Sequence, residues 1–321
     1  MALISALTIS CSTNGEKRGS GNPLLEEPTA KYGIIDYDRI TPEHFSEAIE
    51  LGMEEQKREV KDICENPEEP TFRNTIAALD QSGQLLSKSV LIFEDLTSSN
   101  STPELEALQT KYSPALTAHN DGIYLNPQLF DRVKTVYDKH YKMGIEQPEA
   151  EKEILNHEEM SVLRKTYEAF AKRGAELGEE QKAQLRELNA RISALQTKFS
   201  QNLLHETNNT YVTVDSKEEL DGLPEANIQR AADMARQQGQ EGKYMFNMQR
   251  PSCNPVLQYC TNRELRHKVY DAYYNRGNQG NEWDNKAICA ELVKLRLERA
   301  KLLGYKNCAE QILKYRMAEN E

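Results

Sequence analysis

Six histidines are the first place to look for chemistry: His44, His119, His140, His157, His205 and His267. A hydrolytic zinc site on a helix needs H-E-x-x-H. Two imidazoles one turn apart then face a single ion, and the glutamate activates the bound water. His157-Glu158 has Ser161 where the second imidazole belongs, and His205-Glu206 has Asn209 there. Neither closes a site, and both read as solvated helix-face pairs. Adjacent carboxylates recur at Glu54-Glu55, Glu68-Glu69, Glu158-Glu159, Glu179-Glu180 and Glu218-Glu219, each in a charged helical or linker setting. That is the pattern of a water-facing surface. Gly277-Asn-Gln-Gly280 has no strand before it and no Lys-Ser/Thr after it, so it does not read as a phosphate loop. No G-x-S-x-G is present. These residues assign no catalytic group and no metal ligand to the chain, and they leave its substrate-binding residues unknown.

Cysteine supplies one further candidate. Met1 to Ser10 is a short apolar run (MALISALTIS) that ends at Cys11 and a polar stretch. It matches the apolar core of a secretory signal but lacks the basic segment before it. Ser10-Cys11 resembles a lipoprotein processing site, with Thr8 where an aliphatic residue is usual. Cys11 is therefore the expected lipidation site, the alternative being an incidental cysteine in a disordered N-terminus. The first reading puts the protein in the cell envelope or periplasm, the second in the cytoplasm. Cys64, Cys253, Cys260, Cys289 and Cys308 show no C-x-x-C spacing and read as buried small hydrophobes.

The elements that would position any site are helices. The chain has 321 residues, 40 Lys+Arg against 51 Asp+Glu and only 38% apolar residues, with a mean hydropathy of −0.75. That suits long helices with a narrow buried stripe. Basic residues are interleaved with acidic ones throughout a chain of net charge −11, which disfavours nucleic acid as a partner. No run of 18 apolar residues exists to span a membrane. Thr41-Pro42, Thr102-Pro103 and Asn126-Pro127 pair a capping side chain with a proline at the first helical position. A further helix is expected from Thr71 through Phe93, and another from Pro148 through Phe170 to a stop at Gly174. The longest runs from about Glu179 to His205, with Leu185, Leu188, Ile192, Leu195, Phe199 and Leu203 on one face. YVTV at 211–214 and KYMFNM at 243–248 alternate as short strands, separated by a helix from near Pro224. Asn254-Pro255 is expected to begin another helix, and Thr261 to Glu264 to form a capping box. Ala287 to Leu303 is helical again, closed by Gly304. The fold class is all-α and elongated, with one small β element.

Several stretches carry more than periodicity. Asn22-Pro-Leu-Leu25, Tyr37 to Phe45 (YDRITPEHF), Pro70 to Leu79 (PTFRNTIAAL), Asp121 to Asn126 (DGIYLN) and Thr197 to Asn202 (TKFSQN) are the first of them. Asn262 to Arg266 (NRELR) and Asn275 to Asn285 (NRGNQGNEWDN) follow. Together they resemble the thimet oligopeptidase / oligopeptidase A family of zinc metallopeptidases, in its peptidyl-dipeptidase (Dcp-like) branch. The resemblance runs from about residue 22 to residue 321. It implies a nearly all-helical molecule split by a deep channel with zinc at its floor. Its substrates would be short unstructured peptides, from whose C-terminus a dipeptide is released. The apolar run and Cys11 set off a signal- or lipoprotein-like segment and linker over 1–21, and the resemblance implies a helical domain forming one channel wall over 22–253 and the start of a zincin-type catalytic domain over 254–321. The family's H-E-x-x-H and downstream glutamate match no position here. The chain is therefore expected to be a fragment that binds no zinc and is inactive alone, its partner being the missing C-terminal catalytic portion. A reading from another class is a non-catalytic helical envelope lipoprotein that binds peptides or a protein partner.

Overall fold

Helix starts fall where a capping side chain meets a proline. In the computed structural model, which describes residues 21–27, 31–142, 145–146, 149–150, 153–318 and 320, helices run over Pro42–Glu65, Pro103–Tyr124 and Pro127–His140. Each begins at the proline, whose missing N–H leaves nothing unsatisfied in a first turn. Thr102 Oγ1 accepts from Leu105 N–H at 3.3 Å, and Asn126 Oδ1 from Gln128 N–H at 2.9 Å. Cys11 lies outside the described residues. Most of the described residues are helical, with a few short strands, so the molecule is an all-α multi-helix protein with a small β element. Among the described residues no helix is long and apolar enough to cross a membrane.

The chain divides into two units, the described parts of Met1–Leu108 with Asp131–Leu163, and of Gln109–Phe130 with Arg164–Glu321. In the first unit, Pro42–Glu65 packs against a helix over Gln84–Ser99 with Phe45, Ile49, Leu86 and Phe93 buried between them. The rings of Phe45 and Phe93 meet edge to face at 5.1 Å. The backbones approach so closely that a Cβ on Gly52 would lie 2.8 Å from Leu86 Cα. The single helix expected from Thr71 through Phe93 is in fact broken. A π-helical turn over Phe72–Ala77 and a short helix over Ala78–Asp80 end at Gly83, whose φ of +70° is the left-handed region that glycine enters without penalty. The Gly83 N–H then donates to Glu59 Oε2 at 2.8 Å. Arg132, buried in this unit, donates to the carbonyls of Asn66 and Glu68 at 2.9 and 3.3 Å and fixes the link between the helices.

The helix expected from Pro148 begins instead at His157 and runs to Lys172. Asn156 is its cap. Its Oδ1 accepts from Glu159 N–H at 3.0 Å, while its own N–H donates to Glu159 Oε2 at 2.8 Å. Ahead of it, Tyr141–Lys142 pairs with Ile145–Glu146, and Glu149–Ala150 with Glu153–Ile154, both antiparallel.

The second unit is built on one helix of 31 residues, Glu179–Asn209, roughly 46 Å long at 1.5 Å per residue. Lys286–Leu302 packs along it. Strands Tyr211–Val214 and Tyr244–Asn247 pair antiparallel with Val212 opposite Phe246, and the helix Glu225–Gln237 connects them. Helices Arg250–Tyr259 and Arg263–Tyr274 close over this pair, burying Val214, Leu220, Phe246, Val256, Leu265 and Val269 in one cluster.

Two helix starts differ from expectation. Pro255 lies inside a helix that begins at Arg250, because Pro251 already occupies the first turn. Asn262, not Thr261, caps the next helix, accepting from Glu264 and Leu265 N–H, because the Thr261 hydroxyl donates to Asp221 at 2.7 Å. Cys253 and Cys260 are buried as expected of small hydrophobes, whereas Cys289 is exposed on the outward side of its helix.

Candidate functional site

The distinctive Asn275–Asn285 stretch is a loop between the helices Arg263–Tyr274 and Lys286–Leu302, and what holds it is a buried charge. Glu206, one turn from the end of the long helix, is 1% exposed. The Gly277 N–H and the Asn281 side-chain amide both donate to its carboxylate, the latter at 2.8 Å. His205-Glu206 is thus not a solvated pair. One turn earlier, Asn202 donates to Asn285 Oδ1 at 3.0 Å, and Asn285 Nδ2 donates to the Phe199 carbonyl at 3.1 Å. Both asparagines are buried. Burying a polar group costs least when it is hydrogen-bonded, and these bonds tie the loop to the long helix, with the Asn202 Oδ1 left without a partner.

The loop's own sequence shapes it. Gly277 sits at φ +74°, and a Cβ there would press to 3.2 Å on the Asn285 amide. Arg276 donates to Thr207 Oγ1 at 2.7 Å and to the Tyr273 carbonyl at 2.8 Å, with its guanidinium 3.9 Å from the Tyr273 ring centroid. Asp284 accepts from the Gly280 and Lys286 N–H groups at 2.7 and 2.9 Å. The Lys286 side chain and the two amides hold its carboxyl down to about 2. Trp283, half-buried, stacks on His205 with ring planes 16° apart. With one loop donor on each carboxylate oxygen, Glu206 anchors the loop to the long helix.

A groove of about 1140 Å³ lies beside the long helix, lined by Gln184, Leu188 and Arg191 on it and by Glu291, Leu295 and Glu298 on Lys286–Leu302. Arg191 Nε donates to Glu291 Oε1 at 2.8 Å across it. The other histidines are scattered. His119 and His140 are buried, while His157 and His267 are exposed, the last paired with Asp271 at 2.9 Å. His44 Nδ1 accepts from the Thr41 N–H at 3.1 Å as part of a helix cap. Among the described residues, no three His, Cys, Asp or Glu side chains converge as a metal ion requires.

Residues 256–321 match Peptidase family M3. Over 94% of its length the chain is 32% identical to a protein of Salmonella typhimurium named dipeptidyl carboxypeptidase, covering 43% of that protein. It is 30% identical over 93% of its length to the Escherichia coli protein of the same name, covering 42% of it. It is 31% identical over 93% of its length to an oligopeptidase A of Haemophilus influenzae, again covering 42%. The chain spans less than half the length of these curated relatives. The peptidase resemblance drawn from the short motifs therefore extends over nearly the whole chain.

Proposed function

We propose that these 321 residues are the peptide-binding part of a zinc-dependent peptidase that hydrolyses short unstructured peptides and releases C-terminal dipeptides. On this reading the metal centre comes from polypeptide outside them. The observation that carries the reading is the 32% identity, over 94% of this chain, to a protein named dipeptidyl carboxypeptidase. The family M3 match at residues 256–321 and the absence of H-E-x-x-H in the sequence support the division of labour. Residues 22–253 then form one wall of the substrate channel and residues 254–321 begin the catalytic domain. A zinc ion held by residues outside these 321 would supply Lewis-acid chemistry for peptide hydrolysis, and no described residue here would ligate it. This chain's share is to bind and align the peptide. Glu206 and Asn202 fix the Asn275–Asn285 loop against the long helix.

The test is a peptidase assay on two purified products, the 321-residue chain and the same chain continued by whatever the gene encodes after residue 321. The chain alone is expected to release nothing. The longer product is expected to release dipeptides from short peptides and to lose that activity to a chelator. Zinc-dependent release by the 321-residue chain, or none by the longer product, overturns the proposal.

A further inference from the structure

Four large apolar or aromatic side chains stand in water on one face of the first unit. Tyr32 is 85% exposed, Ile34 63%, Leu91 66% and Tyr37 40%. They belong together. Ile34 shares a cavity of about 150 Å³ with Lys88 and Ile92, and the Tyr37 hydroxyl donates to Asp95 Oδ2 at 2.9 Å. Residues 31–39 therefore lie along the helix Gln84–Ser99, with Leu91 one turn from both Lys88 and Asp95. Single exposed apolar residues are ordinary, whereas four in one place make a patch. Among the described residues Tyr32 is also the one non-glycine in left-handed backbone, at φ +66°, followed by Gly33 at +67°. Such strain persists only where the fold or a function holds it. Here it accompanies a ring turned out to water, with Lys31 Nζ 4.7 Å from its centroid.

We propose that this face rests on a lipid bilayer. The path of the chain names the occupant. Pro23 and Leu24 line the same cavity as Ile34 and Ile92, so the chain enters the fold at the edge of the patch. Cys11, the expected lipidation site, stands ten positions before Gly21, the first described residue. Ten residues reach at most roughly 35 Å. An acyl chain on Cys11 therefore keeps this face within that distance of a membrane. The side chains suit the boundary: tyrosine rings settle there with the hydroxyl in water, Ile34 and Leu91 enter the acyl edge, and lysine amines stay outside. Charge decides how the face is held. Lys31, Arg39 and Lys88 are offset by Glu26, Glu27, Asp36 and Asp95, with Arg39 paired to Glu26 at 3.1 Å. Apolar insertion, not attraction to anionic lipid, is the force. The proposal rests on lipidation of Cys11 and is independent of the peptidase reading.

The probe is phosphatidylcholine vesicles, added to the full gene product carrying Cys11→Ser so that no acyl chain contributes. The protein is expected to sediment with the vesicles equally at low and high salt. Ile34→Asp with Leu91→Asp should weaken that binding at least about tenfold, because the lipid no longer covers two apolar side chains. Thermal unfolding should not change, since both residues already stand in water. Both forms keep Met1 to Ser10, so the difference belongs to the patch. Hydrogen exchange gives a second readout without the aspartates: vesicles should slow the amides of residues 31–39. No vesicle binding, equal binding by the two forms, or no slowing over 31–39 overturns the proposal. Binding abolished by high salt overturns it as well, since the attraction is then electrostatic. So does self-association by light scattering that Leu91→Asp removes, which assigns the face to a second copy. A free Cys11 thiol in membrane-fraction protein takes away the anchor and overturns it too. Patch-dependent vesicle binding by a product without peptidase activity sustains the membrane face and removes only the functional reading.

Discussion

Glu206 holds a carboxylate almost out of contact with water, and two donors from the loop Asn275–Asn285 make that tolerable. Hydrogen bonds to a charged group contribute about 1.5–3 kcal/mol each, and an unpaired buried donor forfeits a similar amount. Glu206→Gln keeps the shape but points an amide N–H₂ at a donor. It is expected to destabilise the protein by about 2 kcal/mol, read as a lower denaturant midpoint, with faster hydrogen exchange at Gly277. A wild-type midpoint and exchange rate would remove the anchor role. The burial of Glu206 left a trace in the sequence. Leu185, Leu188, Ile192, Leu195 and Phe199 advance by alternating threes and fours, and Asn202 and Glu206 continue the series. A polar residue in an apolar register asks for a buried partner. Pairing His205 with Glu206 as neighbours hid this, because adjacent helical residues do not share a face.

Among the elements, starts were more legible than continuity. Thr-Pro and Asn-Pro caps act within one turn, and the helices over Pro42–Glu65, Pro103–Tyr124 and Pro127–His140 begin there. The break at Gly83 was not visible in an apolar stripe that passes straight through it, since Glu59, 24 residues away, accepts the Gly83 N–H. Helix-on-helix distance is equally non-local. Alanine at a helical glycine gains up to about 1 kcal/mol from propensity. At Gly52 the added Cβ meets the Leu86 backbone at 2.8 Å, and overpacking costs about 1–3 kcal/mol, so the clash wins. Gly52→Val, with two more methyl groups and poorer propensity, is expected to lower stability by at least about 2 kcal/mol in thermal or denaturant unfolding. An unchanged midpoint would mean the two helices can part without loss.

For the whole molecule, composition set the class and withheld the chemistry. The acidity is spread over exposed helix faces, so a net charge of −11 identifies no partner. Compartment rests on the ten apolar residues before Cys11. We expect protein from the membrane fraction to carry a lipid adduct on Cys11 by intact mass, and a free Cys11 thiol there would sink the envelope assignment. The sequence by itself determined the helical class, most helix starts, the strand pair over Tyr211–Val214 and Tyr244–Asn247, and the peptidase resemblance. All of these are written in local spacing or in runs of identical residues. Only the tertiary structure decided that Glu206 is buried, that Asn202 and Asn285 pair across 83 positions, and that Val293 and Leu297 remain uncovered while Leu292 does not. Those depend on which side of a helix another segment covers, and periodicity marks a face without naming its neighbour.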